Sequence, residues 1–368
     1  MPQISVVEGL QPPHRYTQDE ITEKVVAFIS RFPSDGTRGT NPGVARRMSA
    51  NAGVRQRAFA VPLEQCLSDI PFAEASRTQR RAATRMGAET LTAALARAGV
   101  RPEDVDALVS TSYTAIGTPL WDLEVLRRAG LRPDVRRVPM NGLGCVGGVA
   151  LIARMHEYLK GNPDQIAVGL AVEPAFVLAG QGGPTLTRLA EWALFGDGSA
   201  AVVMAGDERT RELPPGPHVV DTHSVLVPGS ERMAGWYLDG DRLRTLLDPG
   251  LPGMVMESVR TPVQTLLNRH GLKPEDVGTW TCHAGSRKML DTMAEGLGVE
   301  ERALRHAYEV LAHCGNMASV TVLHALRGTL ADQPVPGSWG IVLAVGPGLV
   351  YEAVLLRWPA ATVRSGAA

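Results

Sequence analysis

The sequence predicts a layered α/β fold made of two copies of one unit, and three observations carry that expectation. A stretch near residue 100 recurs near residue 272; each copy alternates helical periodicity with short apolar runs; and 368 residues, 44% hydrophobic and 20% charged, suffice for two ordinary globular units. Ala98 to Ser112 reads AGVRPEDVDALVSTS and His270 to Ala284 reads HGLKPEDVGTWTCHA, so Pro102-Glu103-Asp104-Val105 returns at Pro274-Glu275-Asp276-Val277, 172 residues later. Gly144-Cys145 meets Gly315-Asn316 at an offset of 171, and Leu170-Ala171-Val172 with Pro174 meets Leu343-Ala344-Val345 with Pro347 at 173. Three matches in one register make a duplication, and its period is far longer than that of any solenoid repeat.

In the first copy, Leu91, Ala94, Leu95 and Ala98 give Ala88 to Ala98 a helical spacing. Val105 to Ser110 reads as a buried strand, Val146 to Lys160 as a helix stopped by Gly161-Asn162-Pro163, and Gln165 to Val172 and Ala200 to Met204 as further strands. The second copy gives a helix at Val263 to Arg269, a strand at Gly278 to Cys282, a helix at Met317 to Leu330, and strands at Gly340 to Val345 and Tyr351 to Arg357. Strands this apolar are covered on both faces, which places helices between and outside two sheets. Pro214 to Pro252, rich in Pro, Gly and Asp, reads as a loop-dominated connection, and Gln11 to Phe72 as an unrepeated cap. The expected halves are 1–215, with the cap, and 216–368.

A net charge of -1 offers no electrostatic footprint for nucleic acid. No run reaches the ~18 apolar residues of a membrane span, and the first ten residues lack a basic start followed by an apolar run. A cytoplasmic protein is expected. Cys66, Cys145, Cys282 and Cys314 contain no CxxC pair, so neither a metal site nor a disulfide framework is expected.

Cys145 lies in Asn141-Gly142-Leu143-Gly144-Cys145-Val146-Gly147-Gly148, directly before a helix. The positive end of that helix favours a thiolate there, and the glycines leave room for a substrate carbonyl against backbone N–H groups. The duplication sets Asn316 at the place of Cys145 in the other copy, and sets His283 opposite Thr111, each just beyond a core strand. Singly, each has an ordinary reading: a buried Cys, a loop His bonded to a carbonyl, an Asn capping a helix. Together they converge on the strand ends where α/β folds place ligands.

At these residues the chain resembles the type III polyketide synthases, the chalcone synthase-like branch of the thiolase superfamily. The matching pieces are GLGCVGG around Cys145, LFGDGSAA at Leu194 to Ala201, HAGS at His283, CGNMAS around Asn316 and VGPGLVYEAVLLRW at Val345 to Trp358. The resemblance implies a thiolase-like αβαβα five-layer α/β fold and a homodimer that condenses acyl-CoA with malonyl-CoA, using CoA thioesters as substrates and no cofactor. It makes Cys145 the nucleophile, pairs it with His283 at rest, and has His283 and Asn316 hold the malonyl thioester. Phe195 matches a gatekeeper, Gly346-Pro347-Gly348 the cavity floor, and Thr111 and Ser112 residues that line the cavity. A second gatekeeper falls on Thr245, widening the passage, and the loop after Ser112 is one residue longer than usual. Arg46 and Arg47 match part of a basic cluster for CoA phosphates, Asn51 stands where a lysine is usual, and Arg55, Arg57, Arg287 and Lys288 are compensating candidates.

Two alternatives share the three residue types. One is a β-ketoacyl-acyl carrier protein synthase of the initiating type, making a single condensation; the other is a papain-like thiol hydrolase. HAGS and the Gly-Pro-Gly loop favour the polyketide synthase over the first, and the duplication and the missing Cys-Trp context count against the second. With only 5% aromatic residues and Thr245 at the passage, the cavity is expected to suit an aliphatic, medium or long acyl starter.

Overall fold

The computed structural model describes residues 1–32, 40–68, 70–175, 184–239 and 242–360. In chain order the strands are β1 (Gln3–Leu10), β2 (His14–Thr17), β3 (Gln56–Phe59), β4 (Ala107–Ser112), β5 (Arg136–Asn141), β6 (Ile166–Glu173), β7 (Gly198–Ala205), β8 (His218–Leu226), β9 (Ala234–Asp239), β10 (Arg242–Leu247), β11 (Val277–Cys282), β12 (Trp339–Gly346) and β13 (Val350–Arg357). The helices are α1 (Gln18–Ile29), α2 (Pro42–Asn51), α3 (Leu63–Cys66), α4 (Phe72–Ala98), α5 (Asp122–Arg128), α6 (Gly147–Gly161), α7 (Leu186–Leu194), α8 (Leu251–Ser258), α9 (Arg260–Asn268), α10 (Arg287–Leu297), α11 (Arg305–Cys314) and α12 (Thr321–Ala331).

The duplication is visible in strand pairing. The first copy runs β1-β7-β6-β4-β5 and the second β8-β13-β12-β11. In each, the strand after the PEDV turn pairs in parallel with the next core strand (β4 with β6, β11 with β12), and two antiparallel pairings follow. The two sets meet at one residue pair, Gln3 with His218. Between them lie α6 and α12, whose Val149, Ile152, Val322 and Leu326 are buried in one cluster with residues of both sheets. Helix α4 covers the outer face of the first sheet through Ala83, Met86, Leu91 and Leu95, and α8 to α11 cover that of the second. The result is the αβαβα five-layer arrangement. It brings the N-termini of α6 and α12 close together: a Cβ at Gly148 would lie 2.2 Å from the Ser319 carbonyl oxygen, so only glycine fits.

Several elements differ from expectation. The helix read from Ala88 begins at Phe72, because its first turns bury small or polar side chains, Ala75, Thr78, Gln79 and Ala82, rather than large apolar ones. Strand β1 and the pair α5 and β5 gave no periodic signal. Residues Pro214 to Pro252 hold the core strand β8 and the hairpin β9–β10, not mainly loop. Strand β8 reads HVVDTHSVL; its polar residues hide a strand that exists because β13 pairs along its length. The cap is folded on its own cluster of Ile21, Phe28, Phe59, Leu63 and Trp192, which ties it to α7. No described helix is long and apolar enough to cross a membrane.

Candidate active site

Cys145 sits in a single 3₁₀ turn, Gly144–Val146, that opens into α6. Gly144 has φ +55°, and a Cβ there would stand 2.6 Å from the Pro347 ring, so the turn needs glycine both for its backbone and for the close approach of the loop that follows β12. The second copy builds the same feature: Asn316 precedes the 3₁₀ turn Ala318–Val320 and then α12. Asn316 Oδ1 accepts from the Ala318 N–H at 2.8 Å and Nδ2 donates to the Gly285 carbonyl at 3.0 Å, so the carboxamide is fixed in orientation with one amide hydrogen to spare. His283 follows β11, is 2% exposed, and has neither ring nitrogen hydrogen-bonded. A buried imidazole left unpaired on both nitrogens is costly without a ligand to meet it.

One cavity of about 270 Å³ gathers Cys145, His283 and Asn316 with Phe195, Thr245, Gly346 and Pro347 in its wall. Phe195 ends α7 and pairs along the backbone with Asn316. Gly348 is not in the wall; its carbonyl accepts from Ser230. Thr111 and Ser112 are not in the wall either. They are 2% exposed, Thr111 against Gly147 and Ser112 bonded to Glu173 and to the Ala115 N–H; Tyr113 and Thr114 take the lining place. Trp236 and Glu191, which the sequence did not single out, also face the cavity.

Glu173, at the end of β6, is the other functional group the sequence missed. It is fully buried and accepts from Ser319 Oγ at 2.5 Å, the Tyr113 N–H at 2.9 Å and Thr114 Oγ1 at 3.0 Å. Its only sequence signal is an acid closing an otherwise apolar strand, IAVGLAVE. Burial pushes its carboxyl up to about 7 against these hydrogen bonds. The same burial, with the Glu173 charge adding, pushes the Cys145 thiol up to about 12. Loss of solvent thus acts against the partial charge of the helix end, which favours a thiolate there. Burial also lowers His283 to about 4. Burial disfavours the charged form of both groups, and the His283 ring makes no hydrogen bond to Cys145 here.

Among the basic candidates, Arg57 is a correction. It is 1% exposed, donates to the Phe195 carbonyl at 2.7 Å and to Gln18 Oε1 at 2.9 Å, and so fixes the Phe195 backbone and faces no solvent. Arg46 pairs with Glu23 at 2.8 Å, and Arg287 pairs with Glu301 at 3.3 Å and lies over the Tyr308 ring. Arg47, Arg55 and Lys288 are exposed. The end of α2 meets the start of α10 at Gly53, whose Cβ position is 2.9 Å from Arg287 Cβ. Ser286 and Met289 there line the cavity, which puts Arg287 and Lys288 at its rim.

Two family models match the chain: "FAE1/Type III polyketide synthase-like protein" over residues 19–215 and "Chalcone and stilbene synthases, C-terminal domain" over 218–359. A 1,3,6,8-tetrahydroxynaphthalene synthase of Streptomyces peucetius subsp. caesius is 38% identical over 356 residues, 96% of this chain and 93% of that protein. A 3,5-dihydroxyphenylacetyl-CoA synthase of Amycolatopsis balhimycina is 31% identical over 278 residues, 74% and 73% of the two chains. The crystal structure of 1,3,6,8-tetrahydroxynaphthalene synthase from Streptomyces coelicolor A3(2) superposes with a TM-score of 0.89 at 27% identity, covering 98% of this chain and 100% of that one. In sequence, family models and fold alike, the chain belongs to the type III polyketide synthases, the chalcone synthase-like branch of the thiolase superfamily.

Proposed function

We propose that this condensing enzyme loads an acyl group from acyl-CoA onto Cys145, extends it with malonyl units by decarboxylative Claisen condensation, and cyclises the product. The observation that carries the reading is the pair of unpartnered His283 nitrogens in one cavity with Cys145 and the spare Asn316 amide hydrogen. For acylation, the neutral imidazole accepts the thiol proton as sulfur attacks the thioester carbonyl, and CoA leaves as its thiol after taking a proton back. For decarboxylation, the imidazole N–H and the Asn316 N–H donate to the malonyl thioester oxygen while carbon dioxide departs and enolate charge builds there. Fixed neutral donors in a dry cavity stabilise that charge without reorganising. The enolate carbon then attacks the acyl-Cys145 carbonyl and the C–S bond breaks, which frees the Cys145 thiolate and leaves the extended chain as a CoA thioester; that thiolate attacks the new thioester, CoA leaves as its thiol with a proton from solvent, and another round begins.

We read the protein as a cytoplasmic homodimer of two thiolase-like halves per chain, 1–215 and 216–368. The outer strand β5 supports dimerisation, since it has an unpaired edge and an exposed Val138. Arg47, Arg55, Arg287 and Lys288 are the CoA phosphate contacts of this reading. An aliphatic starter of medium or long chain fits less well than expected: Tyr113, Phe195 and Trp236 concentrate the scarce aromatics in the wall. The cavity is also small against the roughly 300–1,000 Å³ usual for ligand sites. A short starter and an aromatic product, as in the name of the tetrahydroxynaphthalene synthases, fit better.

Purified protein incubated with acyl-CoA and malonyl-CoA, with products read by mass spectrometry, tests the proposal. Products containing several malonyl units are expected. A single condensation that requires malonyl-acyl carrier protein would assign the initiating ketoacyl synthase reading instead.

A further inference from the structure

The condensation chemistry leaves one acid in the cavity unused. Glu191 lies on the face of α7 that also presents Thr187 and Leu194 to the cavity, and its Oε1 accepts a hydrogen bond from Thr245 Oγ1. Desolvation is the leading influence on its carboxyl and raises it, outweighing the Thr245 bond and the charge of Arg188 on the same helix. With Oε1 taken by Thr245, the other oxygen is left to the cavity, and the protonated carboxyl that burial favours would donate from it. Tyr113 lines the same cavity, and its ring meets that of Trp236 at 5.6 Å. Trp236 Nε1 is buried without a partner, a second donor in the same wall. An acyl chain grown from malonyl units has a carbonyl at every second carbon, and Cys145 holds its thioester end. Glu191 and Trp236 offer partners to such ketone oxygens in the cavity that holds the sulfur, whereas an alkyl chain would leave both unpaired.

Resting on the condensing reading above, we propose that the Glu191 carboxyl group, braced by Thr245, hydrogen-bonds a ketone oxygen of the growing chain on Cys145 and so sets how many malonyl units are added before release. Glu191 is thus a specificity-determining residue for chain length. It acts after Cys145 is acylated, and loading does not depend on it.

The test compares wild type, Glu191→Leu, Glu191→Gln and Thr245→Val as full-length proteins, with acetyl-CoA and malonyl-CoA as substrates. Intact-protein mass reads Cys145 acylation and liquid chromatography with mass spectrometry reads the products. Glu191→Leu is expected to acylate as wild type does while the ratio of longest to early-released product falls about three- to tenfold, the size of one lost hydrogen bond. Glu191→Gln, which keeps an acceptor for Thr245 and an N–H for the ketone, restores the wild-type ratio, and Thr245→Val shifts it in the direction of Leu. An unchanged ratio in Glu191→Leu overturns the inference, as does an equal loss of acylation in Leu and Gln, which marks a structural role. Should Glu191→Leu not fold, an unchanged ratio in Thr245→Val overturns it. Wild type that forms no multi-malonyl product fails the condensing reading itself, a result distinct from all of these.

Discussion

Replacing Cys145 with alanine removes the acyl acceptor and leaves His283 and Asn316 in place, so the variant is expected to decarboxylate malonyl-CoA without condensing it. Its pH profile then reports the charge state of His283. Burial lowers that imidazole from 6.5 to about 4, a difference that corresponds to about 3 kcal/mol for placing a proton on the ring. A ring lowered that far stays almost wholly neutral from pH 7 down to pH 5.5. Release of acetyl-CoA, followed by chromatography, should therefore show no inflection between pH 5.5 and 8 beyond that of Glu173, raised to about 7, which persists when His283 is also replaced. The Cys145→Ala, His283→Gln double variant should be slower by about 10²–10³-fold, the loss typical of one oxyanion donor. An inflection near pH 6.5, of either sign and absent from the double variant, would refute the claim that the cavity holds His283 neutral.

Other consequences follow from burial and packing. His156, His283 and His324 are each lowered to about 4 by burial, so at these three rings the folded state binds fewer protons than the unfolded chain between pH 4 and 6.5, opposed in part by Glu173, which burial raises to about 7. Their stabilising contribution is complete above about 6.5 and is lost as pH falls toward 4; urea midpoints should fall over that window, and less steeply in His283→Gln. Gly148→Ala forces a Cβ to 2.2 Å from the Ser319 carbonyl oxygen and should cost about 1–3 kcal/mol, read as a lower denaturation midpoint together with reduced condensation as Cys145 and Asn316 are driven apart. Glu173→Gln removes the charge that helps hold the Cys145 thiol protonated. Iodoacetamide should then alkylate Cys145 faster at pH 8, by up to about tenfold for each unit by which the thiol falls, and an equal rate would deny the coupling.

The fold was legible wherever the two copies kept their turns. PEDV before each core strand, and a glycine before each buried helix, survive in sequence, and they brought Cys145 and Asn316 to the starts of corresponding helices, although the turns themselves set Ser319 rather than Asn316 opposite Cys145. Strands β1 and β8 were hidden because their polar residues mask the alternation; what defines them is the neighbour they pair with, a long-range fact. The wall was misplaced at Thr111 and Ser112 because the chain leaves the sheet at that point, and Tyr113 and Thr114 turn toward the cavity instead. Arg57 shows the limit for charges: nothing in its sequence context separates an arginine that meets solvent from one buried against the Phe195 carbonyl. Glu173 and Glu191 were silent for the same reason, since burial gives each its chemistry.

In the proposed reaction one cavity has Cys145 take the acyl group while His283 and Asn316 serve the malonyl thioester. Intact-protein mass spectrometry of Asn316→Ala after incubation with acetyl-CoA, paired with its rate of malonyl-CoA decarboxylation, separates the two tasks most directly. The expected result is an acetyl adduct mapped to Cys145 with decarboxylation reduced by about 10²-fold or more. An adduct on another residue, or decarboxylation at the wild-type rate, would contradict it.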